Sequence, residues 1–111
     1  DNVEYPDFIR YIMHYMENNY QQELSLDELA DMASMSKYHF CRQFKKYTSF
    51  SPKKYLINLR ISHARMLLTS TDIPAYKIGI LVGISNEANF IHLFKENVGL
   101  TPNEYRKQFE G

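Results

Sequence analysis

The sequence predicts an all-α fold of about seven helices, arranged as two helix-turn-helix subdomains joined by a long central helix. Three observations predict it. Apolar residues recur at a 3.6-residue period between punctuation residues, with no sustained strand alternation. Helix-start signals of the Ser/Thr, Pro and Glu type open successive segments. A pattern of aromatic and proline residues repeats after fifty positions.

The first segment runs from Pro6 to about Tyr20, with Phe8, Ile9, Ile12, Met13 and Met16 as its inward stripe. Ser25 and Glu28 form a capping-box pattern for the second, whose expected inward residues are Leu26, Leu29, Ala30 and Ala33. Ser36 caps the third, which turns Phe40, Phe44 and Tyr47 inward. Ser51, followed by Pro52 at the first helical position, opens a long fourth helix reaching about Thr69. Asp72, Ile73 and Pro74 start a short fifth through Val82, a sixth runs from Asn86 to Val98 and stops at Gly99, and Thr101, Pro102 and Glu104 cap the seventh. In the fourth helix Tyr55, Leu59 and Met66 share one face, while Ile57, Ile61, Ala64 and Leu68 lie nearly opposite. An ordinary surface helix has one apolar stripe, so this one is expected to need a partner on each side.

The repeat carries the organisation. Phe40, Phe44, Lys45, Phe50, Ser51, Pro52 and Tyr55 recur as Phe90, Phe94, Lys95, Leu100, Thr101, Pro102 and Tyr105. Leu29, Ala30, Ser34 and Met35 recur one residue closer, as Ile78, Gly79, Gly83 and Ile84. The one-residue difference falls in the turn between the paired helices, where an insertion costs little. A short helix, a tight turn and a second amphipathic helix is the pattern whose second helix enters the DNA major groove. The expected layout is a first subdomain with its leading helix over 6–50, a linker helix over 51–70 and a second subdomain over 71–111.

Composition bounds the function. A chain of 111 residues with 44% hydrophobic and 14% aromatic residues is most simply one domain with a core, too apolar for disorder. Four Gly and four Pro are too few for a loop-rich sandwich. The single cysteine, Cys41, excludes an internal disulfide framework. No apolar run approaches the ~20 residues of a membrane span and the start lacks signal-peptide regions, so no membrane role and a cytoplasmic location are expected. The four histidines show no metal-ligand spacing, no nucleophile has a neighbouring base and no glycine-rich phosphate loop is present. An enzyme, a metal and a cofactor are therefore not expected.

The formal net charge is zero, but the distribution is not even. Positions 1–36 carry eight acids and one base, positions 37–65 eight bases and no acid, and the remainder five acids and four bases. A basic block on a presentable face is an electrostatic footprint for phosphate. With Phe40 and Phe44 inward, the third helix presents Tyr38, Arg42 and Lys45, flanked by Cys41 and Lys46, with Ser36 and Lys37 at its start. Arg42 suits guanine O6 and N7, Tyr38 suits stacking or hydrogen bonding, and Lys45 and Lys46 suit phosphates. Ser36 can offer its hydroxyl and the free amides of the helix start to a phosphate. The same projection of the sixth helix presents Ala88, His92 and Lys95, with Ile91 where Cys41 sits and Asn86, Glu87 and Asn89 at its start. Its charge is near zero, so it adds little Coulombic affinity. It can still read sequence, Asn86 or Asn89 pairing with adenine, His92 with guanine N7 and Ile91 with a thymine methyl.

The stretches FCRQFKKYTSFSPKKYL, LRISHARMLL, IGILVGIS and NFIHLFKENVGLTPNEYR resemble the DNA-binding domain of AraC/XylS family transcription regulators over roughly Leu24 to Gln108. Phe90, Phe94, Lys95, Gly99, Thr101, Pro102, Tyr105 and Arg106 match the family's C-terminal signature at its spacing. The resemblance implies two recognition helices in successive major-groove segments of double-stranded DNA, and regulation of transcription, usually activation. It places base reading at Tyr38, Cys41 and Arg42, and at Glu87, Ala88, Ile91 and His92. Gly79, Ile84 and His92 stand where the family usually has alanine, phenylalanine and arginine, which leads to the expectation that the first unit dominates affinity. A helix from Pro52 to Leu68 would be ~25 Å long, enough to set two recognition helices about one DNA turn, ~34 Å, apart on a non-palindromic site. Further expected partners are RNA polymerase and an N-terminal sensor or receiver domain, since the chain starts without methionine and reads as part of a longer regulator. The other functional class is a helix-turn-helix module acting as a protein-interaction adaptor.

Overall fold

A computed structural model describes residues 4–110, which form seven helices with no strand among them: α1 Asp7–Asn19, α2 Leu26–Met32, α3 Lys37–Thr48, α4 Pro52–Ser70, α5 Ala75–Leu81, α6 Glu87–Val98 and α7 Pro102–Gln108. None is long and apolar enough to cross a membrane. The chain divides into two compact units, Asp1–Leu56 and Ile57–Gly111, with the division inside α4.

Local chemistry sets most helix starts. Glu28 N–H donates to Ser25 Oγ at 3.0 Å, His39 N–H to Ser36 Oγ at 3.2 Å and Asn89 N–H to Asn86 Oδ1 at 2.8 Å, each satisfying an amide the helix leaves orphaned. Thr101 and Glu104 complete a reciprocal capping box ahead of α7. Pro6 and Pro74 lie just outside α1 and α5 as cap residues without a side-chain hydrogen bond, so those helices begin at Asp7 and Ala75.

In the first unit the core contains Ile9, Ile12, Met16, Leu29, Ala30, Phe40 and Phe44. The Phe44 ring lies tilted against Phe40 at 5.6 Å and meets Tyr55 edge-on at 5.3 Å. Between α2 and α3 the turn passes through Ser34 at φ 57°, and Met35 N–H donates back to Ala30 O at 3.0 Å. Phe8, Met13, Ala33 and Tyr47 are half-buried, and Leu26, expected inward, is 36% exposed. Leu26 is the first residue of a seven-residue helix, so only a turn further on does α2 reach the core with Leu29 and Ala30.

The second unit repeats this construction with the same aromatic trio. Phe94 lies 5.9 Å from Phe90 and meets Tyr105 edge-on at 5.5 Å. Its turn spans Val82 to Asn86 where the first unit has Ala33 to Ser36, one residue longer, as the change in repeat spacing requires. Gly83 takes φ 101° at the place of Ser34, and Ile84 N–H donates to Gly79 O at 2.7 Å. Ile61, Ala64 and Leu68 of α4 are buried with Ile78, Val82, Phe90 and Phe94. The opposite α4 stripe is buried only in part: Tyr55 and Leu59 are half-buried, whereas Met66 is 53% exposed. That end of α4 therefore buries a single stripe, which corrects the two-sided expectation there.

Arg106 closes the end of α4. Its guanidinium donates from Nε to Leu68 O at 3.0 Å and from Nη2 to Thr71 O at 3.1 Å, serving one carbonyl in the last helical turn and one just beyond it. Arg65 donates from Nε to the Tyr105 hydroxyl at 3.2 Å and lies over that ring.

Candidate nucleic-acid interface

Each helix-turn-helix presents its second helix by burying the opposite face. Phe40 and Phe44 are fully buried, so Tyr38, Arg42, Lys45 and Lys46 are held outward on α3; Phe90 and Phe94 do the same for Ala88, Ile91, His92 and Lys95 on α6. Burying a phenylalanine is worth ~1.5–3 kcal/mol, far more than the side-chain contacts on the outer face, so rotation of either helix is strongly opposed.

On α3 the expected face is contiguous. Tyr38, 73% exposed, and Arg42 lie one turn apart, and the Arg42 guanidinium sits 5.5 Å from the Tyr38 ring centre. A contact of that kind at an exposed site is worth ~0.5–1 kcal/mol and narrows where the guanidinium can be. Lys45 follows on the same stripe, and Lys46 lies 5.4 Å from the Tyr47 ring. Cys41 is half-buried between these residues and the core. Lys37 is partly committed elsewhere, pairing with Asp27 of α2 at 3.4 Å. Ser36 accepts the His39 amide while its own hydroxyl proton stays available.

On α6, Glu87, Ala88, Asn89, Ile91, His92 and Lys95 are all exposed. Asn86 spends its Oδ1 on the Asn89 amide. A bidentate grip on adenine uses both the oxygen and the nitrogen of the amide group, so Asn89 is the asparagine free for it. Sequence reasoning missed what surrounds the start of α6. A cavity of about 230 Å³ lies there, lined by Tyr76 of α5, Glu87 and Ile91 of α6, and Pro102 and Asn103 of α7. Tyr76 is 53% exposed and Ile91 38%. The only sequence signal for it is the repeat itself, which aligns Tyr76 and Glu87 with Asp27 and Lys37.

The helix-turn-helix domain family model matches residues 29–108. A solved structure from Chromobacterium violaceum, described as a transcriptional regulator of the AraC-type DNA-binding domain-containing proteins, is 31% identical with a TM-score of 0.84, covering 93% of this chain and 92% of that one. The chain belongs to the AraC-type DNA-binding domain family. The C-terminal domain of AraT, a response regulator from Geobacillus stearothermophilus, shares this AraC-type fold at TM-score 0.88 and 27% identity, over 97% of this chain and 88% of that one. The bifunctional transcriptional activator/DNA repair enzyme AdaA of Bacillus subtilis is 35% identical over 108 residues, which is 96% of this AraC-type domain and 51% of AdaA. The chain spans about a quarter to a half of the length of the curated relatives it matches.

Proposed function

We propose that this AraC-type domain binds double-stranded DNA sequence-specifically through α3 and α6 and thereby regulates transcription, with α3 supplying most of the affinity. The observation that carries the reading is the exposed stripe of Tyr38, Arg42 and Lys45, with Lys46 beside it, held outward by buried Phe40 and Phe44. It offers a bidentate donor for guanine, an aromatic surface and two phosphate-neutralising cations on one helix. The α6 face offers Lys95 against Glu87, so its share is local base recognition with little Coulombic affinity. Base or backbone contact is assigned to Ser36, Lys37, Tyr38, Cys41, Arg42, Lys45 and Lys46, and to Asn86, Glu87, Ala88, Asn89, Ile91, His92 and Lys95.

Activation is the proposed output, supported by the description of AdaA as a transcriptional activator. An N-terminal sensor or receiver domain is proposed as the input, supported by the share of its relatives' length that the chain spans and by the likeness to a response regulator's C-terminal domain. RNA polymerase is the partner that activation requires. The relatives named above are bacterial, so the DNA target lies in the cytoplasm.

The test is a comparison of Arg42→Ala with His92→Ala in duplex binding at near-physiological salt. Arg42→Ala is expected to cost at least about fivefold in affinity and His92→Ala less than threefold, since a bidentate guanine contact is worth ~1–3 kcal/mol. Equal losses would reject the dominance of α3, and salt-insensitive binding would reject the role of the basic stripe.

A further inference from the structure

The two units are built to one plan, so a place where they differ in chemistry is one the fold leaves free. Between α2 and the recognition helix α3 of unit one, Asp27 and Lys37 form an exposed ion pair at 3.4 Å. At the matching positions of unit two stand Tyr76 and Glu87, and in place of Lys53 stands Asn103. There the surface opens into the cavity of about 230 Å³, with Ile91 on its recognition-helix side. Among the described residues Glu87 makes no ion pair.

We infer that this cavity receives the edge of a cytosine, with the Glu87 carboxylate accepting from its N4 amino group and its C5 side lying against Ile91 and Tyr76. This rests on the DNA-binding reading above and names what α6 recognises. A carboxylate only accepts hydrogen bonds. In the major groove guanine shows it two acceptors and thymine its O4, so both are repelled. Adenine offers N6–H, but the adjacent N7 lone pair faces the second carboxylate oxygen. Cytosine alone places a donor beside a C–H edge, which is the combination of one acceptor and an apolar wall that Glu87, Ile91 and Tyr76 provide. A methyl group on C5 would extend into the same wall, so 5-methylcytosine is accepted and preferred.

The experiment is selection from a randomised duplex library with the wild-type chain, Arg42→Ala and Glu87→Gln, followed by titration with duplexes carrying cytosine or 5-methylcytosine at the selected position. Cytosine is expected at one position outside the Arg42-dependent cluster. Glu87→Gln is expected to change that preference to adenine, because glutamine pairs with N6 and N7, and to weaken binding to the cytosine duplex about tenfold. Methylation is expected to strengthen wild-type binding about threefold, from burial of one methyl, and Tyr76→Ala to abolish that gain. All three substituted side chains lie at the surface, and circular dichroism checks that the helices persist. An Arg42-dependent cluster with no cytosine position selected outside it, an unchanged preference in Glu87→Gln, or weaker binding on methylation overturns the inference and leaves DNA binding standing. The absence of any Arg42-dependent enrichment overturns both.

Discussion

Gly79 of α5 approaches the ring of Phe90 in α6 so closely that a Cβ on it would fall 2.8 Å from the Phe90 Cγ and 3.0 Å from the Ile84 carbonyl oxygen. The matching residue of the first unit is Ala30, 1% exposed, so the same junction accepts a methyl there. The glycine marks a tighter approach of helix to helix, not a need for unusual backbone angles.

Gly79→Ala is therefore expected to destabilise the second unit even though alanine favours the helix by ~1 kcal/mol. The methyl meets the root of a fully buried ring and a backbone oxygen, neither of which yields cheaply, and overpacking of this kind costs ~1–3 kcal/mol. Urea denaturation followed by circular dichroism gives the net effect; a more stable variant would show that the junction has slack.

The helix ends make the opposite comparison. Ser49 ends α3 at φ 73° and Gly99 ends α6 at φ 94°, each N–H donating to the carbonyl of the lysine four residues back. A left-handed residue with a Cβ costs roughly 1 kcal/mol, and nothing lies near Gly99 to demand glycine for space. Ser49→Gly is expected to raise stability by ~0.5–1 kcal/mol, read as a higher midpoint in thermal melts.

Alkaline stability should depend on Tyr55. Burial first, then the Glu17 carboxylate and Tyr5, push its hydroxyl up to about 12 from an ordinary 10.0. The folded chain thus keeps a proton that the unfolded chain releases. The contribution is full below pH 10 and is lost as pH rises toward 12. Between pH 9 and 11.5 the urea midpoint of the wild type is expected to fall faster than that of Tyr55→Phe, which retains the ring packed on Phe44. Parallel curves would exclude the role.

Phosphate contacts can be separated from base contacts by salt. Lys45→Ala is expected to weaken binding to all duplexes alike and to lower the slope of log affinity against log salt by about one. Lys37→Ala should do less, because Asp27 already shares its charge. Equal slopes for the two variants would count against a committed Lys37.

How much was legible in the sequence differs from residue to residue for a physical reason. Helix starts at Ser25, Ser36, Asn86 and Thr101 rest on hydrogen bonds to residues three positions away, and the inward faces of α3 and α6 rest on a period of four. Such short-range interactions are written directly in neighbouring letters. The fifty-residue repeat added the equivalence of the two units, and setting Phe40 and Phe44 inward gave the outward stripe of Tyr38, Arg42 and Lys45. Exposure of Leu26 and Met66 was not legible, because periodicity says which residues share a face and not whether another element covers it. The same holds for Arg106 reaching the Leu68 and Thr71 carbonyls, more than thirty residues away, for the approach of Gly79 to Phe90, and for the opening between Tyr76 and Glu87. Those features depend on which surfaces meet, and contacts between elements distant in sequence exist only once the helices have packed.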